Sequence, residues 1–115
     1  MSVLRKIITP LAAVAALHGE AFAGCNASAC SSQVDRLYVF NDGRVEVLLD
    51  DTQAEFNELG CVVPNGNRLA LPTSDAGVLD RMYSALLTAK ASDEAVYVAI
   101  VTASNPCEVR YVRSQ

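Results

Sequence analysis

The sequence predicts a small, mostly β domain with one helix, stabilised by disulfides, and three observations predict it. Short stretches at residues 34–40, 45–50, 61–71, 95–102 and 107–113 either alternate apolar with polar residues or gather β-branched and aromatic ones. One stretch, residues 75–91, carries helical periodicity instead. Four cysteines follow an apolar leader, the arrangement of a small exported domain held by covalent bridges.

The leader comes first. Arg5 and Lys6 precede the apolar run "IITPLAAVAAL", and Ala21-Phe22-Ala23 forms a small-x-small site, so residues 1–23 read as a signal peptide with cleavage before Gly24. The apolar run is shorter than the roughly 20 residues of a spanning helix, which predicts no membrane insertion once the leader is cleaved. A lipid-anchored form at Cys25 is disfavoured by the polar His18-Gly19-Glu20 and by Phe22 where a lipobox usually carries leucine. The predicted location is periplasmic or secreted. From nine basic and thirteen acidic side chains, cleavage removes Arg5, Lys6 and Glu20, leaving seven and twelve and a formal net charge of −5. That balance gives no counterion-release gain on a phosphate backbone, so nucleic acid is not an expected partner.

Residues 24–33, "GCNASACSSQ", are small and polar without periodicity and read as a flexible N-terminal segment; residues 34–115 read as the folded domain. Val34 to Phe40 and Val45 to Leu49 flank "NDG", a hairpin in which Gly43 supplies a positive φ. Leu37 and Val39 on one face against Tyr38 and Phe40 on the other predict a central strand covered on both sides. Phe56 and Leu59 are candidate anchors of a loop or short helix. Cys61 to Val63 and Leu69 to Leu71, around Pro64-Asn65-Gly66-Asn67, make a third strand region. Leu79, Met82, Tyr83 and Leu86 share a helical face, with Thr73 or Ser74 as N-cap and Lys90 near the C-terminal end, where the macrodipole favours a cation. "AVYVAIVT" reads as a near-continuous apolar strand, and "CEVRYVR" places Val109 and Tyr111 on one face.

The four cysteines admit three pairings. Cys61 with Cys107 joins two strand-like stretches and Cys25 with Cys30 lies close in sequence, so this pairing is favoured. Loop entropy assigns about 4 kcal/mol to the long bridge and about 2 kcal/mol to the short one.

The order strand, strand, strand, helix, strand, strand is that of an OB-fold, a small five-stranded barrel with its helix between the third and fourth strands. In this context the "DGRVEV" hairpin, Cys61, the "MYSALLTAK" helix, the "AVYVAIV" strand and Cys107 resemble those of small exported bacterial proteins related to the B subunit of subtilase cytotoxin. The resemblance spans roughly residues 34–112. It implies an OB-like fold and a Cys61–Cys107 bridge, and it suggests sugar binding and self-association.

The composition excludes several chemistries. The chain's one histidine, His18, leaves with the leader, which removes Ser-His and Cys-His catalysis and histidine-based zinc sites. The cysteines lack CxxC spacing, and no metal or cofactor is expected. Asp50-Asp51 and Asp93-Glu94 are adjacent acids in turns, unlike a catalytic pair facing across a cleft. Ser31, Ser32 and Lys90 make a weak nucleophile-base set. The chain is therefore not expected to be an enzyme. Tyr38, Phe40, Tyr97 and Tyr111 are candidates for a stacking platform or for cross-strand packing; Arg44, Arg68, Arg110 and Arg113, for a basic stripe or for surface ion pairs. Asn41, Asp42, Asn65, Asn67, Arg68, Ser104 and Asn105 fall in the loops expected to border a ligand face, where they would hydrogen-bond a glycan or a protein. The sequence-level expectation is a non-catalytic binding module. The alternative is an assembly protein that forms a homo-oligomer through its sheet edges.

Overall fold

The computed structural model describes residues 24–115; the leader, its cleavage site and His18 lie outside the described residues. The elements are β1 (Gly24–Cys25), β2 (Ala29–Val39), β3 (Val45–Leu49), a 3-10 turn (Phe56–Glu58), β4 (Leu69–Ala70), α1 (Ala76–Ser92), β5 (Ala95–Ile100) and β6 (Val109–Ser114). The strands form one six-stranded antiparallel sheet in the order β4-β3-β2-β5-β6, with β1 paired to the start of β2. The chain is mostly β with one helix and two disulfides, as expected.

Two expectations need correction. The sheet is not a closed five-stranded barrel. Cys61 to Val63 form no strand, and β4 is only two residues long, because the backbone before it turns at Gly66 and Asn67, with φ of 91° and 59°, and Pro72 follows it. Between β4 and the β6 side there is one parallel bridge, Ala70 to Glu108, rather than a ladder. The second correction concerns residues 24–33, which are structured rather than a flexible arm. Ala29 to Gln33 pair with Ala99 to Ala95 of β5, and Cys30, Ser31 and Ser32 are buried. Small side chains are what a strand needs where it is covered closely, and Ser32 satisfies its hydroxyl by donating to the Gln33 carbonyl oxygen at 2.9 Å.

Two β-bulges decide which side chains enter the core. In β2 the register shifts between Val34 and Arg36, so Val34 opposite Leu49 and Leu37 opposite Val47 share the inner face while Tyr38 opposite Glu46 turns outward. In β6 Val109 pairs with Ile100 and Tyr111 with Ala99. Arg110 is therefore the extra residue, and Val109 and Tyr111 lie on opposite faces instead of the same one. The core consists of Val47, Leu49, Leu69, Leu86, Val98, Ile100 and Val109, with Phe56 and Leu59 closing it from the long β3–β4 connection.

Helix α1 covers β2 and β6 with Leu86 and Ala89 buried and Leu79, Met82 and Tyr83 packed at the margin. Its N-cap is Asp75, whose carboxylate accepts from the Gly77 and Val78 N–H groups at 2.9 and 3.2 Å. Asp93 ends the helix in a left-handed conformation. The hairpin turn uses Gly43 at φ 92°, as its sequence requires. Gly60 is needed for a different reason: its N–H donates to the Ala27 carbonyl at 2.7 Å, and a Cβ there would lie 2.9 Å from that oxygen.

Cys25 is bridged to Cys30 and Cys61 to Cys107. The long bridge closes a 46-residue separation and ties the β3–β4 connection to the base of β6. Replacing Cys61 and Cys107 by Ala should lower stability by about 4 kcal/mol in denaturant unfolding. Pairing of the start of β2 predicts slow hydrogen exchange at the amides of Cys30 to Ser32; exchange at the rate of a free chain would restore the flexible arm.

Candidate functional site

The loop residues singled out from the sequence do not converge on one mouth. Asn41 and Asp42 cap the hairpin at the C-terminal end of β2. Antiparallel pairing of Ala29 with Ala99 puts the β5–β6 connection, with Ser104 and Asn105, at the N-terminal end of the same strand. The intervening eleven residues of β2 span about 30 Å. The turn with Asn65 and Asn67 also lies away from the hairpin tip, since Leu69 pairs with Val47 and Ala70 with Glu46. Val62 N–H donates to the Ser104 carbonyl at 2.9 Å and Cys107 N–H to that of Val62 at 2.8 Å, which holds the Ser104 loop against the segment preceding Asn65.

Several of these side chains are occupied in holding their own loops. Asp42 accepts from the backbone N–H of Arg44 at 3.1 Å and from its Nε at 2.9 Å. Ser104 Oγ donates to the Val101 carbonyl at 2.6 Å and accepts from the Glu108 N–H at 2.9 Å. Asn65, Asn67 and Asn105 are exposed. Arg68 leaves its loop altogether and lies over the Tyr38 ring, 4.6 Å from its centre.

The outer sheet face carries the aromatic residues, and the β2 and β6 bulges are the reason. Tyr38 and Phe40 are half-buried beneath arginines, with no second layer over them. Two platforms result. On β2 and β3, Arg44 sits 4.3 Å from the centre of Phe40, and Glu46 lies between Arg44 and Arg68 at 3.5 and 3.3 Å. With Asp42 this platform balances two cations with two anions. On β5 and β6, Tyr97 and Tyr111 stack at 6.1 Å with an interplanar angle of 26°, and Arg113 lies 4.2 Å from the Tyr97 centre. Tyr111 is 42 % exposed. Among the described residues all ion pairs involve Arg44 or Arg68, so Arg113 keeps its charge unpaired. Each arginine-ring contact at such an exposed site contributes about 0.5–1 kcal/mol, and the surface ion pairs less.

A groove lies on the helix-facing side of β5 and β6, across the strands from the second platform. A cavity of about 360 Å³ lies between the C-terminal half of α1 and the β5–β6 pair, lined by Ala85, Thr88, Ala89, Glu94, Val96 and Val112 among others. A depression of about 230 Å³ shares Ala85 and Val112 and reaches Arg81 and Tyr111. Sequence reading missed this groove. Its one local signal is the run of small helix residues Ser84, Ala85, Thr88 and Ala89.

The acids are solvated turn residues. Asp50 accepts from the Thr52 hydroxyl at 2.7 Å and the Thr52 N–H at 2.9 Å, and these bonds, the hydroxyl first, hold its carboxyl below the ordinary aspartate range. Asp42 is likewise lowered, by the Arg44 N–H first and then by its guanidinium. Among the described residues no three potential ligands gather into a metal site.

No family model, no curated protein and no solved structure matches this chain.

Carboxyls depressed in the folded state stabilise their turns above the ordinary aspartate value and lose that contribution as pH falls through the folded one. An NMR titration should show Asp42 and Asp50 ionising below the ordinary aspartate value. Arg44→Ala should return Asp42 upward and leave Asp50 unchanged; a shift of both would mean the turns are not independent.

Proposed function

We propose that this chain is an exported, non-catalytic binding module whose ligand, a glycan or a protein, lies on the β5–β6 face. The observation that carries the reading is the Tyr97–Tyr111 stack with Arg113 upon it, half-exposed and unpaired, at the rim of the depression that Tyr111 shares with Met82, Ala85 and Val112. Aromatic rings offer stacking area at low entropic cost and an arginine adds directed donors. The β2–β3 platform is a weaker candidate, since Glu46 and Asp42 already satisfy its arginines.

Export is supported by the leader-like residues 1–23 and by two disulfides, which persist in oxidising compartments. The helix between β4 and β5, together with the Ala70–Glu108 bridge, supports an open, OB-like reading of the sheet, and the resemblance to subtilase cytotoxin B subunits adds glycans to the ligands worth screening. A second reading, assembly through sheet edges, is favoured by one observation: β6 is an edge strand of the sheet.

Glycan and peptide arrays probed with the oxidised protein test the first reading. Tyr111→Ala and Arg113→Ala should each weaken a hit by about tenfold, as losing a stacking or charge-assisted contact does, with Asn41→Ala as an unaffected control. Hits that depend instead on Asn65, Asn67 or Asn105 would move the site to the opposite loops. Sedimentation showing a stable oligomer with no array hit would favour assembly.

A further inference from the structure

We infer that β6 accepts an extended acidic segment of a partner protein as an added strand. This rests on the reading of the β5–β6 face as the ligand surface and names the partner's chemistry. Three observations converge on it.

The first is the edge itself. β6 pairs with β5 on one side; on the other, Ala70 of β4 bridges only Glu108, just before the strand, and Val109–Ser114 pair with no strand there among the described residues. Its six residues leave alternate backbone N–H and C=O groups for a partner strand. The second is the space beside that edge. Side chains alternate along an added strand, so one set faces the outer surface at Tyr111 and Arg113. The other set faces the depression lined by Met82, Ala85 and Val112. Main-chain bonds supply affinity in this geometry, and the alternating pockets supply selectivity.

The third is charge. Arg81, Arg110 and Arg113 are exposed, none is in an ion pair among the described residues, and β6 contains no acid. Glu94 lines the larger groove and not the depression beside β6, and Glu108 precedes the strand. In a domain whose formal charge is negative, this is a basic strip on the one long free edge. It selects an acidic strand and rejects a second copy, because two β6 strands paired about a two-fold axis would bring two Arg110 and two Arg113 onto one short ladder. The same arginines that guard the edge against self-pairing make it selective.

The test uses the oxidised protein and four ten-residue probes: valine alternating with glutamate, valine alternating with lysine, the glutamate probe N-methylated at alternate amides, and polyglutamate. The valine-glutamate probe should bind, slow hydrogen exchange along β6, and exceed each of the other three by about tenfold or more. Arg110→Glu combined with Arg113→Glu changes only exposed positions and should reverse the preference towards the lysine probe, with an unchanged circular dichroism spectrum. Polyglutamate binding equally well would reduce the site to a charge effect and overturn strand addition. So would unaltered exchange in β6, or a dimer that protects β6 without any probe. Array hits sensitive to Tyr111→Ala alongside failure of all four probes would overturn this inference and leave the binding-module reading standing.

Discussion

The strand β2 carries the architecture, because it alone pairs with three others. Its first half lies between β1 and β5, its second half pairs with β3, and the bulge between Val34 and Arg36 separates the two regimes. Without the extra residue, Tyr38 and Phe40 would share the parity of Cys30, Ser32 and Val34 and point into the core. With it, Leu37 joins Val47 inside and both rings emerge under Arg68 and Arg44. A one-residue insertion thus converts a candidate core pair into surface.

The β6 bulge repeats the device at the other side of the sheet. Arg110 absorbs the extra position, so Val109 remains buried and Tyr111 turns out to meet Tyr97. The two platforms then diverge electrostatically. Glu46 is half-buried between two arginines on the first, whereas the second has no acid in hydrogen-bonding reach of Arg113 among the described residues. Because desolvating an already paired charge returns little and an unpaired one invites a partner, the proposed ligand face is that of β5 and β6.

The covalent bridges act on different links of the chain. Cys25–Cys30 secures the short hairpin that begins β2, where Cys30 is fully buried opposite Val98. Cys61–Cys107 holds a long connection with little regular structure against the base of β6, supported by the Val62 hydrogen bonds to Ser104 and Cys107. That connection supplies Phe56 and Leu59 to the core. A two-residue β4 can serve as a sheet edge because its neighbours are fixed this way.

What the sequence by itself determined is local. The helix over residues 76–92, the hairpin turn at Gly43, the strands at 45–49 and 95–100, and the favoured cysteine pairing follow from periodicity, turn chemistry and cysteine spacing, which depend on neighbours along the chain. Tertiary structure decided the rest. Residues 24–33 look featureless because small residues suit a strand only where another strand covers them. The bulges reflect two pairing registers meeting in one strand, which no single-strand period can express. The division of Asn41 and Asp42 from Asn65, Asn67, Ser104 and Asn105 arises from strand order, and the groove beneath an exposed β6 from the packing of α1 on that sheet. A site built from residues about 30 Å apart in the fold looks contiguous in a loop list, because loops carry their composition in sequence but their position only in space.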